Sequence, residues 1–413
     1  MLSFNPLSQR ERGRGEGEMA KIVVIGGSFG GLTAAFELKR LLGERAGVTV
    51  LGDDERFVFL PSLPWLIMGH RRAEDITLNV PEILKPKGIS FIREAATGVD
   101  PEKSKVLTAS GEIPYDYLVI STGPYLAFEE IPGLGPERGH TSCTFTLGHA
   151  VNTKMAWEKI LEDPGPVVVG SAQGVSCFGP SYELAYEMHN ELKRRKLRHK
   201  VPIFYITSEP YLGHMGVGGL GNSKRFFEDT FAEREIKPLV SQAIEEVAPG
   251  EVRLRGGAKI LFKFAMIAPP FKGVPAVTPL GNPRGFIPVD RNFRHTKHQN
   301  IFVVGVAMAI APPEPTPVPT GVPKTGFMTV KMARTAAATI SAEIKGENIP
   351  SAWELSVTCL MDMGNTAALM KAVPVLPPRQ ESITKEGMRY RYLKAAFERY
   401  FLWKMRHGLS SLP

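Results

Sequence analysis

Cys177 closes the run PGPVVVGSAQGVSCFGP, after a β-branched strand and a glycine-rich turn whose pattern predicts a helix next. A thiol there meets unsatisfied backbone N–H groups and the positive end of a helix dipole, both of which favour the thiolate. In a second nucleotide-binding fold this turn would ordinarily receive a nicotinamide. A cysteine in its place points to sulfur chemistry. Two further cysteines, Cys143 and Cys359, lie far from it in the chain. Three scattered cysteines make no secreted disulfide framework, and with no Cys-x-x-Cys pair or Cys/His cluster no metal is expected.

The elements that must position such chemistry begin with MAKIVVIGGSFGGLTAAFEL, a strand, a glycine cluster and an apolar-periodic helix. Gly26 suits the tight turn, and Gly30 and Gly31 suit close packing of helix on strand. Ser28 stands where G-x-G-x-x-G has its second glycine, and is small enough for a pyrophosphate to approach the N–H groups. The next strand, VTVLGDDERF, ends in Asp53 and Asp54, either of which fits ribose recognition about 20 residues past the turn. IPYDYLVISTGPYLAF ends in Ser121, Thr122, Gly123 and Pro124, a strand end that returns the chain toward the second nucleotide fold.

Later, NIFVVGVAMAI closes the first fold at Gly305, with Val306 and Ala307 where an acid commonly follows. The Pro-rich loop APPEPTPVPTGVPKTG ends in Lys324, Thr325 and Gly326 before a periodic helix. That end can offer N–H groups and a cation to a reduced flavin ring. The expected architecture is α/β, with two Rossmann-like dinucleotide-binding domains and a C-terminal amphipathic helical segment. Residues 19–126 and 291–350 build the FAD-binding domain, 127–290 the second Rossmann-like domain, and 351–413 a C-terminal region. FAD is expected rather than FMN, because the adenosine half is what the first glycine turn and its acids would hold.

A chain of 413 residues is long enough for two or three domains, and 43% hydrophobic with 22% charged residues excludes general disorder. The net charge of +8 favours anionic surfaces, but no nucleic-acid module accompanies it. The apolar run IFVVGVAMAIAPP is too short to span a bilayer and reads as a buried strand. Residues 1–18, including RERGRGEGE, lack the apolar core of a signal peptide and read as a disordered extension or as the product of a start codon placed too early, with Met19 beginning the fold. In GMRYRYLKAAFERYFLWKMRHG, Leu393, Phe397, Tyr400, Phe401 and Met405 recur at helical spacing. Lys394, Lys404 and the arginines are expected mostly on other faces, as in an interfacial membrane helix.

Together GGSFGG, LPSLPW, STGPYLAF, CTFTLGHA, GSAQGVSCFGPSYELA, ITSEPYLGH, PTPVPTGVPKTG and TCLMDMG resemble bacterial sulfide:quinone oxidoreductases from about Met19 to the end of the chain. The resemblance implies that Cys177 and Cys359 form a redox-active pair and that Cys143 releases sulfur. It also implies that Glu183 is the active-site acid and that His149 and His214 lie in or near a sulfide channel. Phe397 matches an aromatic of the quinone pocket, whereas Leu360 stands where a quinone-clamping Phe is expected. The implied enzyme oxidises sulfide with FAD and passes electrons to a membrane quinone. Its expected setting is peripheral association with an anionic membrane surface, as a homo-oligomer without a transmembrane helix. A sulfide dehydrogenase reducing a c-type cytochrome, a type II NADH dehydrogenase and a non-turnover redox sensor share parts of this logic.

Overall fold

A computed structural model describes residues 19–351 and 354–410. The extension expected over residues 1–18 lies outside them. The principal strands arise from Val/Ile-rich runs, whose branched side chains suit a pleated, buried surface. In chain order they are Ala20–Ile25 (β1), Ala46–Leu51 (β2), Ser90–Ile92 (β3), Tyr117–Ile120 (β4), Val167–Ser171 (β5), Ile203–Thr207 (β6), Ile236–Leu239 (β7), Phe264–Ala268 (β8) and Ile301–Val303 (β9). They make two parallel sheets, ordered β9-β4-β1-β2-β3 and β7-β6-β5-β8. Every residue of β4 and β5 is buried, as unbroken apolar runs in parallel sheets require.

The principal helices are Phe29–Leu42 (α1), Leu63–Ile67 (α2), Leu147–Glu162 (α3), Gly179–Arg194 (α4), Gly326–Lys345 (α5) and Met388–Arg406 (α6). The segment FVFLPSLPWLIMG, whose prolines suggest a loop, instead folds into a 3-10 turn, Leu60–Ser62, and α2. Its prolines occupy first-turn positions, where a missing N–H forfeits no helix bond. Thr325 caps α5 by accepting from the Met328 N–H at 3.4 Å. The first turns of α1 and α5 touch so closely that a Cβ on Gly326 would lie 3.0 Å from the Phe29 ring.

The C-terminal region is an antiparallel sheet of Val357–Asp362 (β10), Ala367–Val373 (β11) and Glu381–Gly387 (β12), followed by α6. β10 is an edge strand, and both α4 and α6 pack on it. α6 buries a mixed face in which Lys394, Glu398 and Lys404 join Phe401 and Met405. Met388, Tyr392, Leu393 and Trp403 are exposed. This corrects the expected wheel: Leu393 does not share a buried stripe with Phe401, and two of the lysines point inward. For Lys394 and Glu398, ionic partners on neighbouring elements, described below, decide the orientation. Among the described residues no helix is long and apolar enough to cross a membrane.

Candidate active site

The turn after β5 delivers Cys177 one residue before Phe178, the N-cap of α4. Cys359 comes from the middle of β10. Distant in sequence, the two thiols lie close enough for the charge of one to disfavour ionisation of the other. Burial pushes Cys177 up to about 12 and Cys359 up to about 11, with Glu183 adding to the latter. The expected thiolate is therefore corrected. The Gly179 N–H does favour the anion at Cys177, but loss of solvent outweighs it. All three cysteines are unbridged.

Glu183, on the second turn of α4, is 5% exposed and forms a buried ion pair with Lys394 of α6. Burial pushes its carboxyl up to about 8; Lys394 opposes the shift, while Asp362 and Glu187 add to it. The Lys394 ammonium also lies 4.6 Å over the Trp65 ring. The Trp65 indole N–H donates to Asp362 Oδ2 at 2.9 Å, and Arg391 Nε donates to the same oxygen at 3.0 Å. Four elements, α2, α4, β10 and α6, thus meet in one polar knot beside the cysteine pair. Lys394, Trp65, Asp362 and Arg391 were not singled out from sequence. The available signal was Lys394 and Glu398 keeping helical step with Phe401 and Met405.

Cys143 lies elsewhere, between the edge of β8 and α3, with Thr153 Oγ1 donating to its carbonyl at 2.7 Å. Burial pushes its thiol up to about 12, and the charge of Glu137 adds to the shift. The same Glu137 holds His149 Nε2 at 2.6 Å. Cys143 and His149 are thereby linked through Glu137 rather than to Glu183. His214 is fully buried, and its Nδ1 accepts from the Gly216 N–H at 3.2 Å. In the neutral ring the proton then sits on Nε2, 3.5 Å from Glu314 on the Pro-rich loop. Burial lowers the pKa of this histidine, opposed by Glu314.

The first glycine turn fits a dinucleotide. Gly26 has φ +109°, and a Cβ there would lie 2.3 Å from the Ser121 carbonyl oxygen. A Cβ on Gly31 would lie 1.7 Å from the Gly26 oxygen, and one on Gly30 2.4 Å from Ser121 Oγ. Ser28, the N-cap of α1, makes no side-chain cap, and the first turn carries no acid, so its N–H groups suit a pyrophosphate. Both Oδ atoms of Asp54 are held by Arg56 at 3.0 Å. Asp53 is exposed and makes no ion pair among the described residues, which favours it for the ribose. Thr122 and Gly123 follow β4, and Gly305 packs on Thr329 of α5. Lys324, 8% exposed, lies 4.8 Å over the Phe286 ring with no carboxylate partner among the described residues; burial pulls it down to about 8. Such a cation suits an electron-rich ring.

Of the two quinone candidates, Leu360 faces away from Cys359, its neighbour on β10. Phe397 joins a ring cluster, 6.0 Å from Phe59 and 5.7 Å from Phe401, and Phe401 in turn lies 4.8 Å from Phe29. The cluster therefore reaches the helix that leaves the glycine turn.

Residues 20–337 match the pyridine nucleotide-disulphide oxidoreductase family. The sulfide-quinone reductase of Aquifex aeolicus is 45% identical over 401 residues, covering 94% of this chain and 92% of that protein. The X-ray structure of the Aquifex aeolicus sulfide:quinone oxidoreductase superposes with a TM-score of 0.91 at 43% identity, covering 95% of this chain and 93% of that one. The chain belongs to the sulfide:quinone oxidoreductase family. A flavin cofactor goes with that membership, and the glycine cradle and Lys324 fit one. The mitochondrial sulfide:quinone oxidoreductase of Dictyostelium discoideum is 26% identical over 321 residues, covering 74% of this chain and 69% of that protein. NDH2 from Plasmodium falciparum, solved with NADH, has a TM-score of 0.72 at 16% identity, covering 95% of this chain and 96% of that one, and shares the fold alone.

Proposed function

We propose that the protein is an FAD-dependent enzyme that oxidises sulfide to sulfane sulfur and passes the electrons to a membrane quinone. FAD, when bound, accepts two electrons from the sulfur side and delivers them to the quinone. HS⁻ attacks a bridge between Cys177 and Cys359; the S–S bond breaks, leaving a persulfide on one sulfur and a thiolate on the other. Sulfur leaves as polysulfide with the help of Cys143, and the quinone takes up two protons. The observation that carries this reading is the convergence of Cys177 and Cys359 with Glu183. At neutral pH Glu183 holds a proton beside two thiols that burial disfavours as anions, so it can protonate the departing sulfur.

His214, with Nε2 toward Glu314, and His149, held by Glu137, are proposed to flank the sulfide path. Phe397 and Leu360 are proposed to contact the quinone. Met388, Tyr392, Leu393 and Trp403 give α6 an exposed apolar face beside Arg389, Arg399 and Arg406, which suits peripheral attachment to an anionic membrane surface. A homo-oligomer would multiply that contact. Steady-state sulfide consumption with decylubiquinone, cytochrome c or no acceptor tests the assignment. Turnover with decylubiquinone is expected; turnover with cytochrome c alone would assign the acceptor to a cytochrome.

A further inference from the structure

HS⁻ that becomes sulfane sulfur gives up two electrons and one proton. The electrons have a route through the cofactor to the quinone, but the proton appears beneath the surface. Glu183 and Lys394 are both buried, so a proton passed to that pair needs a further way out.

One helical turn beyond Glu183, on the same face of α4, stands Glu187. Its residue is 2% exposed and its Oε1 has no hydrogen-bond partner among the described residues. A buried carboxylate oxygen without a donor is costly unless it has a task. Its other oxygen, Oε2, lies 3.6 Å from His70 Nε2, within ion-pair range. The His70 side chain is 41% exposed and lines a cleft of about 200 Å³ between α2 and α6, with Trp65, Arg71, Arg391 and Tyr392. The two guanidiniums there are committed, Arg71 to Glu398 at 2.8 Å and Arg391 to Asp362 at 3.0 Å, and guanidinium does not give up a proton. Of the lining groups, His70 is the one whose imidazole can both accept and donate a proton.

The geometry points to a proton exit line, Glu183 to Glu187 to His70, that connects the sulfur site with the cleft between α2 and α6. The Glu183 acid passes its proton to the Glu187 carboxylate, Glu187 to the imidazole, and the imidazolium to water, while the proton of HS⁻ refills Glu183. Each group ends as it began, and one proton reaches solvent per sulfide oxidised. Glu187 also faces Glu183, whose carboxyl its charge pushes up, which shows the two acids to be electrostatic neighbours.

This inference rests on the sulfide-oxidising reading, and its test separates the two. Flavin-loaded full-length protein is mixed with sulfide and decylubiquinone in weak buffer containing a pH-indicator dye, and flavin bleaching, proton release and turnover are followed together. His70→Ala is expected to lower turnover and delay proton release roughly tenfold or more, with added imidazole restoring both. Glu187→Gln is expected to show the same loss without rescue, because imidazole cannot reach a buried position. Wild-type rates in both variants, or a loss in His70→Ala that imidazole leaves unchanged, would overturn the relay while leaving the enzyme assignment intact. Failure of the wild-type protein to oxidise sulfide with any acceptor would overturn the assignment itself.

Discussion

Replacing Lys394 by Met removes the cation beside Glu183 while keeping an unbranched side chain over Trp65, where a thioether makes a favourable ring contact. Glu183 already sits at about 8 because burial outweighs Lys394. Loss of the ammonium removes one charge-assisted hydrogen bond, about 1.5–3 kcal/mol, or about one to two pH units at 1.36 kcal/mol each. The sign follows from which form is stabilised: Lys394 favours the carboxylate, so without it the acid survives to higher pH. Reaction steps that need protonated Glu183 fail as pH rises through its pKa, so the wild-type alkaline limb should fall near 8 and the Lys394→Met limb about one to two units higher. The maximal rate should drop, because Lys394 also favours the Cys359 thiolate. Stopped-flow flavin bleaching, compared across pH at equal HS⁻ concentration, measures both. In Glu183→Gln the limb should disappear. A Lys394→Met limb that stays in place or moves to lower pH would refute the assignment of this acid.

Ser at Cys177 or at Cys359 should each abolish flavin reduction by sulfide while flavin absorbance is retained; near-normal bleaching by Cys359→Ser would remove it from the mechanism. Asp53→Asn should weaken FAD retention about tenfold and Asp54→Asn much less, since Arg56 occupies Asp54; equilibrium dialysis of the cofactor distinguishes them. Glu at Tyr392 and Trp403 together should release the protein from phosphatidylglycerol liposomes in co-sedimentation, with sulfide-driven bleaching unchanged, and the wild-type contact should weaken with salt.

The nucleotide folds were legible because local pattern and tertiary role coincide there. The runs KIVVI and PVVVG must be strands, and glycines at 26, 30 and 31 serve contacts made within one βα turn. The convergence of Cys177 and Cys359 was legible only through their family-like neighbours, since nothing local to either announces the other. Two readings failed for related reasons, and a third stayed open. The Cys177 dipole argument is sound locally, but the thiol is also desolvated and faced by Cys359 of β10, far along the chain. The α6 wheel assumes that Lys and Glu face water, a default that breaks when each finds a partner inside. Asp53 and Asp54 are equivalent by spacing, and the distinction comes from Arg56 folding back on one of them.

The sulfur pair is split between the second nucleotide fold and the last antiparallel sheet, and this division orders the protein's birth. A nascent chain that has not yet reached Val357 carries Cys177 without a partner and lacks the lysine that holds the acid beside it. Docking of the final strand and helix is a contact of long sequence separation, formed late and cooperatively. The unfinished polypeptide thus lacks the Cys177/Cys359 pair proposed to meet sulfide. Its sulfur chemistry is switched on by completion of the fold.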